Sequence, residues 1–135
     1  MWEGFQSSLD GVERQLRQLF FAAFLPLWTQ WLQCRADDWD RQYHPPNGYR
    51  RVGRRSLQVQ GFFGWAALER DYYHHDDRQG FFPADGALGL VDSYTPDLAG
   101  LLTVAAALHP FERAQQIVDR FSGIQVTGRQ IQRLV

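Results

Sequence analysis

The chain has 135 residues, a length that suits one domain or one domain with a helical arm. Hydrophobic residues make up 44%, and ten Phe, five Trp and five Tyr bring enough apolar surface to fill a core and exclude disorder over the whole chain. A net charge of −1 gives no argument by itself for a nucleic-acid partner, and the single cysteine, Cys34, excludes an internal disulfide and a multi-cysteine zinc site.

The opening MWEGFQSSLD lacks the basic end and apolar run of a signal peptide. The apolar stretch from Leu19 to Leu32 is interrupted by Pro26, Thr29 and Gln30 and is too short to span a bilayer. These features make a cytoplasmic protein without membrane contact the expectation.

Residues 8 to 24 predict an amphipathic helix. Ser8 suits its cap, and Leu9, Val12, Leu16, Leu19, Phe20, Ala23 and Phe24 recur at helical spacing. Glu13 and Arg17 make a favourable pair on the other face. Pro26 predicts a kink or an end, after which a second piece carries Leu27, Trp28, Trp31 and Leu32. Residues 1–34 thus read as a helical leader, with Cys34 a small buried residue beside Trp31 and Leu32. An aromatic stripe of this kind suits a core or a homo-oligomer interface.

Residues 35–49 predict a linker: a charged run, then His44-Pro45-Pro46-Asn47-Gly48. A β-hairpin and an irregular segment follow over 50–92. Arg54 to Gln60 alternates with Leu57 and Val59 on one face, Gly61-Phe62-Phe63-Gly64 reverses the chain, and Trp65 to Tyr73 returns. All 14 basic residues are Arg, and four of them, Arg50, Arg51, Arg54 and Arg55, gather on the leading strand. The planar guanidinium fork suits phosphate oxygens and guanine edges, while a solvated hairpin face is the plainer alternative.

The region 93–135 predicts a three-helix unit. Thr95-Pro96 opens a helix to about Leu108, and Pro110 punctuates. Phe111, Ala114, Ile117, Val118 and Phe121 then mark one apolar face. Ser122-Gly123-Ile124 turns the chain, and Thr127 followed by Gln130 is a capping-box pattern for a last helix that turns Ile131, Leu134 and Val135 inward. This is the spacing of a helix-turn-helix, whose second helix would show Arg129, Gln130, Gln132 and Arg133 outward. Arg pairs bidentately with guanine and Gln with adenine, although both are also ordinary exposed helix residues. The fold expected overall is α+β: a helical leader, one β-hairpin and a C-terminal three-helix unit with a helix-turn-helix.

Few residues suggest catalysis. In His74-His75-Asp76-Asp77 alternate side chains of an extended strand face opposite ways, so two ligands share a face where zinc wants three or four. Asp85 reads as a turn or cap residue without a catalytic partner. No metal or other cofactor is expected.

Arg70-Asp71-Tyr72-Tyr73, then Gly80 to Asp85, Leu88-Gly89-Leu90, Phe111-Glu112-Arg113-Ala114 and Gly123 to Ile131 occur in an ordered succession. It resembles the N-terminal half of the Kra-four insertion-sequence family of bacterial transposases, over roughly residues 48–135. That family has an Arg-x-Tyr-Tyr hairpin end, a Gly-x-x-Pro-x-Asp segment, a Leu-Gly-Leu and a Phe-Glu-x-Ala helix leading to Gly-Ile-x-Val-(Ser/Thr). Many members also carry cysteines after the Tyr-Tyr as a zinc ribbon; this chain has histidines and aspartates there, so zinc is not carried over. The resemblance implies a transposase's DNA-binding portion that recognises double-stranded DNA at element ends. The family's acidic catalytic triad lies downstream of the matched segment, so the chain itself is not expected to be an enzyme. The alternative is a non-catalytic oligomerisation or interaction module that works through the N-terminal aromatic helix.

Overall fold

A computed structural model describes residues 9–134, the side chain of Phe121 excepted. The expected cap Ser8, and the expected inward positions of Phe121 and Val135, therefore lie outside the description. The architecture is α+β: one long helix, one antiparallel hairpin and a group of C-terminal helices. Among the described residues no helix is long and apolar enough to cross a membrane.

Helix α1 runs from Leu9 to Gln42, which corrects two expectations at once. Pro26 does not end it. The ring is exposed, and Thr29 Oγ1 donates 2.8 Å to the Leu25 carbonyl in the same turn. Nor does a linker begin at residue 35, because the charged stretch is held in the helix by what its side chains grip. Phe21, Leu25, Trp28, Leu32 and Ala36 recur on one side, and Leu32 and Ala36 are buried there. The connecting segment shrinks to residues 43–49. Cys34 lies on the other side of the helix from Leu32 and Ala36, and is exposed instead of buried.

Strands β1 (Arg50–Gly61) and β2 (Gly64–His74) pair from Arg50↔His74 to Gly61↔Gly64 around the Phe62-Phe63 turn. Val59, Ala66 and Leu68 face α1 and form one core with Leu32, Ala36 and Ala84. The outer edge of β2 is bonded from Glu69 to Tyr73. The Gln33 side-chain amide donates to the Glu69 carbonyl (2.8 Å) and accepts from the Glu69 N–H (2.9 Å), as a neighbouring strand would. Asp40 accepts the Asp71 N–H at 3.0 Å, and Tyr73 exchanges two backbone bonds with Phe81.

After a short helix α2 (Pro83–Ala87), in a segment expected to be irregular, come α3 (Pro96–Leu108), α4 (Phe111–Ser122) and α5 (Gly128–Leu134). Their core is Leu98, Leu102, Ala105, Ala114, Val118 and Ile131, sealed by Ile124 and Val126 from the turn. Gln60 joins this unit to the hairpin. Its backbone bonds Ser93 and Thr95, and its buried side chain donates to the Gln125 carbonyl at 3.2 Å.

If Gln33 stands in for a strand, Gln33→Leu should lower unfolding free energy by about 1–2 kcal/mol. Gln30→Leu, on an exposed position of the same helix, should change it by less than about 0.5 kcal/mol. Urea denaturation of both variants measures the difference.

Candidate nucleic-acid interface

The helix-turn-helix is built from local rules that the geometry satisfies. Helix α4 ends at Gly123, whose φ of 73° is the left-handed conformation that terminates helices and favours glycine. Ile124 and Val126 are buried, which fixes how the turn crosses the core. At the start of α5 the Thr127 N–H donates to Gln130 Oε1 (2.8 Å) while the Gln130 N–H donates to Thr127 Oγ1 (3.1 Å), a reciprocal capping box. Gln115 on α4 accepts the Gly128 N–H at 3.0 Å, so α5 is docked at its first residue as well as through Ile131.

This geometry divides the four candidate reading residues. Arg129, Gln132 and Arg133 are exposed. Gln130 is half-buried and its oxygen is occupied by the cap. It also hydrogen-bonds Tyr94, whose hydroxyl pKa is raised by burial and by Asp92 against that opposing bond. Gln130 is therefore a scaffold residue, and the outward face of α5 is Arg129, Gln132 and Arg133. From Phe111 onward the chain has four Arg against two acids, and one acid, Asp119, accepts a hydrogen bond from Gln125.

The hairpin arginines are divided too. A bulge between Arg51 and Gly53 shifts the alternation by one residue, so Arg51 and Arg54 both reach the acids gathered beside α1. Arg51 pairs with Asp71 at 2.9 Å, and Arg54 pairs with Asp37 at 2.5 Å and donates to the Glu69 carbonyl at 2.9 Å. Both guanidinium pKa values are raised, chiefly by these side-chain hydrogen bonds. Burial pushes the Asp37 carboxyl up, but hydrogen bonds from Arg54 and Gln33 outweigh it and the net shift is downward. Asp40 goes the other way, raised first by burial and also by Asp71 beside it. Arg50 and Arg55 stand outside this network: Arg50 lies 3.8 Å from an exposed Asp76 carboxylate, and Arg55 stacks 4.1 Å over the Tyr72 ring.

A pair that sequence reasoning missed lies behind the hairpin. Arg70 is buried and makes a two-pronged ion pair to Asp85, Nε–Oδ1 2.8 Å and Nη2–Oδ2 3.1 Å. It also donates to the Arg55 carbonyl and stacks 3.6 Å over Phe82. Asp85 thus has a partner after all, a structural one. The signal was present in the sequence: Ala66, Leu68 and Arg70 alternate onto one face, and a charge on an apolar face requires a counter-charge. The same contact explains the Arg-x-Tyr-Tyr and Gly-x-x-Pro-x-Asp segments physically. Tyr72 packs 4.9 Å from Phe82, a Cβ at Gly80 would collide with the Tyr72 hydroxyl, and Pro83 is buried at the first turn of α2. Those residues lock the hairpin to α2.

The histidine segment offers less. His74 Nε2 lies 3.7 Å from Asp76, while His75 packs tilted against Tyr49 and accepts the Asp77 N–H through Nδ1. Among the described residues no three His, Cys, Asp or Glu side chains come together as a metal site would require. No protein-family model matches the chain, and no curated protein matches it.

Two outcomes follow. Asp85→Ala leaves the buried Arg70 charge unpaired and should cost about 3 kcal/mol in denaturant unfolding. The depressed Asp37 carboxyl contributes stability above the ordinary carboxylate range and loses it as pH falls through its own lower value. Asp37→Asn should therefore destabilise at pH 7, by less than about 1 kcal/mol because the pair is partly exposed. The gap to the wild-type chain should close in acid, as read from unfolding midpoints across pH.

Proposed function

We propose that this chain binds duplex DNA through α4 and α5, with α5 lying in the major groove. It would serve as the DNA-binding portion of a protein of the insertion-sequence transposase kind. The observation that carries this reading is the outer face of a firmly docked short helix. Ile131 is buried and the capping box fixes the helix start, while Arg129, Gln132 and Arg133 point outward with no hydrogen bond or ion pair to the described residues. A helix backbone already docked and capped costs little further ordering on binding, and two arginines at helical spacing on it suit guanine edges or flanking phosphates.

In this reading Arg50 and Arg55 add phosphate contacts, since their guanidinium groups are outside the acidic network. Arg51 and Arg54 are committed to Asp71 and Asp37 and act on the fold. The target is double-stranded DNA at element ends, as the resemblance implies. The chain's residues need no cofactor for this role.

Binding should be visible by fluorescence anisotropy on a labelled duplex at about 50 mM salt and should weaken steeply toward about 200 mM. Arg129→Ala with Arg133→Ala should cost about 1–3 kcal/mol for each base contact removed and reduce the salt slope where a phosphate contact is lost. Arg51→Ala should have a much smaller effect. Absence of binding to any duplex at low salt would overturn the proposal.

A further inference from the structure

Helix α1 carries two apolar stripes, and the chain covers only one of them. The inner stripe packs on the hairpin. The outer stripe is Leu16, Phe20, Ala23, Phe24, Leu27 and Trp31, and all six are exposed. The five large side chains are 41%, 62%, 46%, 62% and 54% accessible in that order. At about 200 Å² for each large side chain, they leave on the order of 500–600 Å² of apolar surface on one helix face. That is at the upper end, about 300–600 Å², of the largest patch usual on a monomer.

The arrangement of the stripe points to what covers it. The six positions are symmetric about the peptide bond between Ala23 and Phe24: Leu16 mirrors Trp31, Phe20 mirrors Leu27, and Ala23 mirrors Phe24. The steps of four, three or four residues between them keep one face toward a partner helix. A helix antiparallel to α1, with the same sequence and the same centre, meets the stripe residue for residue. Each bulky Phe24 then faces the small Ala23 of the other copy, so the middle of the seam closes without collision. The charges agree: Glu13 of one copy comes within one residue of register with Arg35 of the other, twice by symmetry. Two such faces bury about 1,000–1,200 Å² together, the lower range for a specific interface.

We infer that α1 forms an antiparallel homodimer with α1 of a second copy, centred on Ala23–Phe24. This interface is independent of the proposed DNA contact, and its test involves no DNA.

The exposed Cys34 makes the register testable. It lies on the stripe's extension, and in the antiparallel register it faces Glu13 of the other copy. The two Cys34 thiols then stand roughly 30 Å apart at 1.5 Å per residue, beyond the reach of a disulfide. Under a mild oxidant the wild-type chain should stay uncrosslinked on a non-reducing gel. Glu13→Cys should give a covalent dimer, and Glu13→Cys with Cys34→Ser should not. Within one copy the same two positions are also roughly 30 Å apart, so an intramolecular bond cannot mimic the result. Light scattering of the wild-type chain should show a dimer with Kd in the micromolar range, below about 100 µM. Phe20→Glu with Leu27→Glu should be monomeric with an unchanged circular dichroism spectrum, since both side chains lie outside the core.

A wild-type monomer at about 100 µM would overturn the inference. So would failure of Glu13→Cys to crosslink. A wild-type disulfide through Cys34 would overturn this register, because an antiparallel pairing centred on Ala23–Phe24 holds those thiols roughly 30 Å apart.

Discussion

A two-stranded hairpin buries too little to hold itself together in water, and both of its edges present unpaired backbone groups. Here α1 supplies the missing surface, and hydrogen bonds to the β2 edge at Glu69 and Asp71, in one element. Leu32 and Ala36 cover the apolar face of the hairpin, and between them Gln33 bonds both backbone groups of Glu69. Asp40, two turns further on, takes the next outward N–H at Asp71. Gln33 and Asp40 are one heptad apart, about two helical turns, so both side chains leave α1 on the same side, toward β2. This grip makes the charged stretch helical, and it draws the acids Asp37, Asp40 and Asp71 into reach of Arg51 and Arg54.

The hairpin transmits that order to the helical unit through two polar joints. Arg70 ties the inner face of β2 to α2 through Asp85, and Gln60 ties the end of β1 to the segment before α3 and to the turn before α5. Buried polar groups of this kind fix orientation because each has few alternative partners. Helix α5 is therefore referenced to the hairpin through Gln60, as well as to α4 through Gln115 and Ile131. Several residues in the segments that carry the family resemblance are spent on this scaffolding: Arg70, Tyr72, Gly80, Asp85, Gly123, Thr127 and Gln130.

Arginine does two different jobs here, and chain position alone does not separate them. Arg51, Arg54 and Arg70 hold elements together through carboxylates, while Arg129 and Arg133 stand clear of any counter-charge among the described residues. A guanidinium already paired with a carboxylate must give up that pair to meet a phosphate, so the unpaired arginines are the better ligands for a nucleic acid. The near-neutral net charge conceals this division.

The sequence by itself determined the elements whose signals are local. Gly61 and Gly64 around Phe62-Phe63 set the hairpin, Thr95-Pro96 set the start of α3, and Gly123 with the Thr127–Gln130 box set the turn and α5, because each acts through backbone bonds within a few residues. Periodicity likewise marked Val59, Ala114, Val118 and Ile131 as inward. What the tertiary structure decided was every outcome that depended on a distant partner. Residues 35–42 became helix because Gln33, Ala36, Asp37 and Asp40 found β2; Pro26 was tolerated within a helix held by contacts on both sides of it; and Cys34 was left outside. Which arginines are neutralised was decided in the same way, since the partners lie 17, 20 and 15 residues away and meet only through the pairing of the hairpin strands and their packing on α1 and α2.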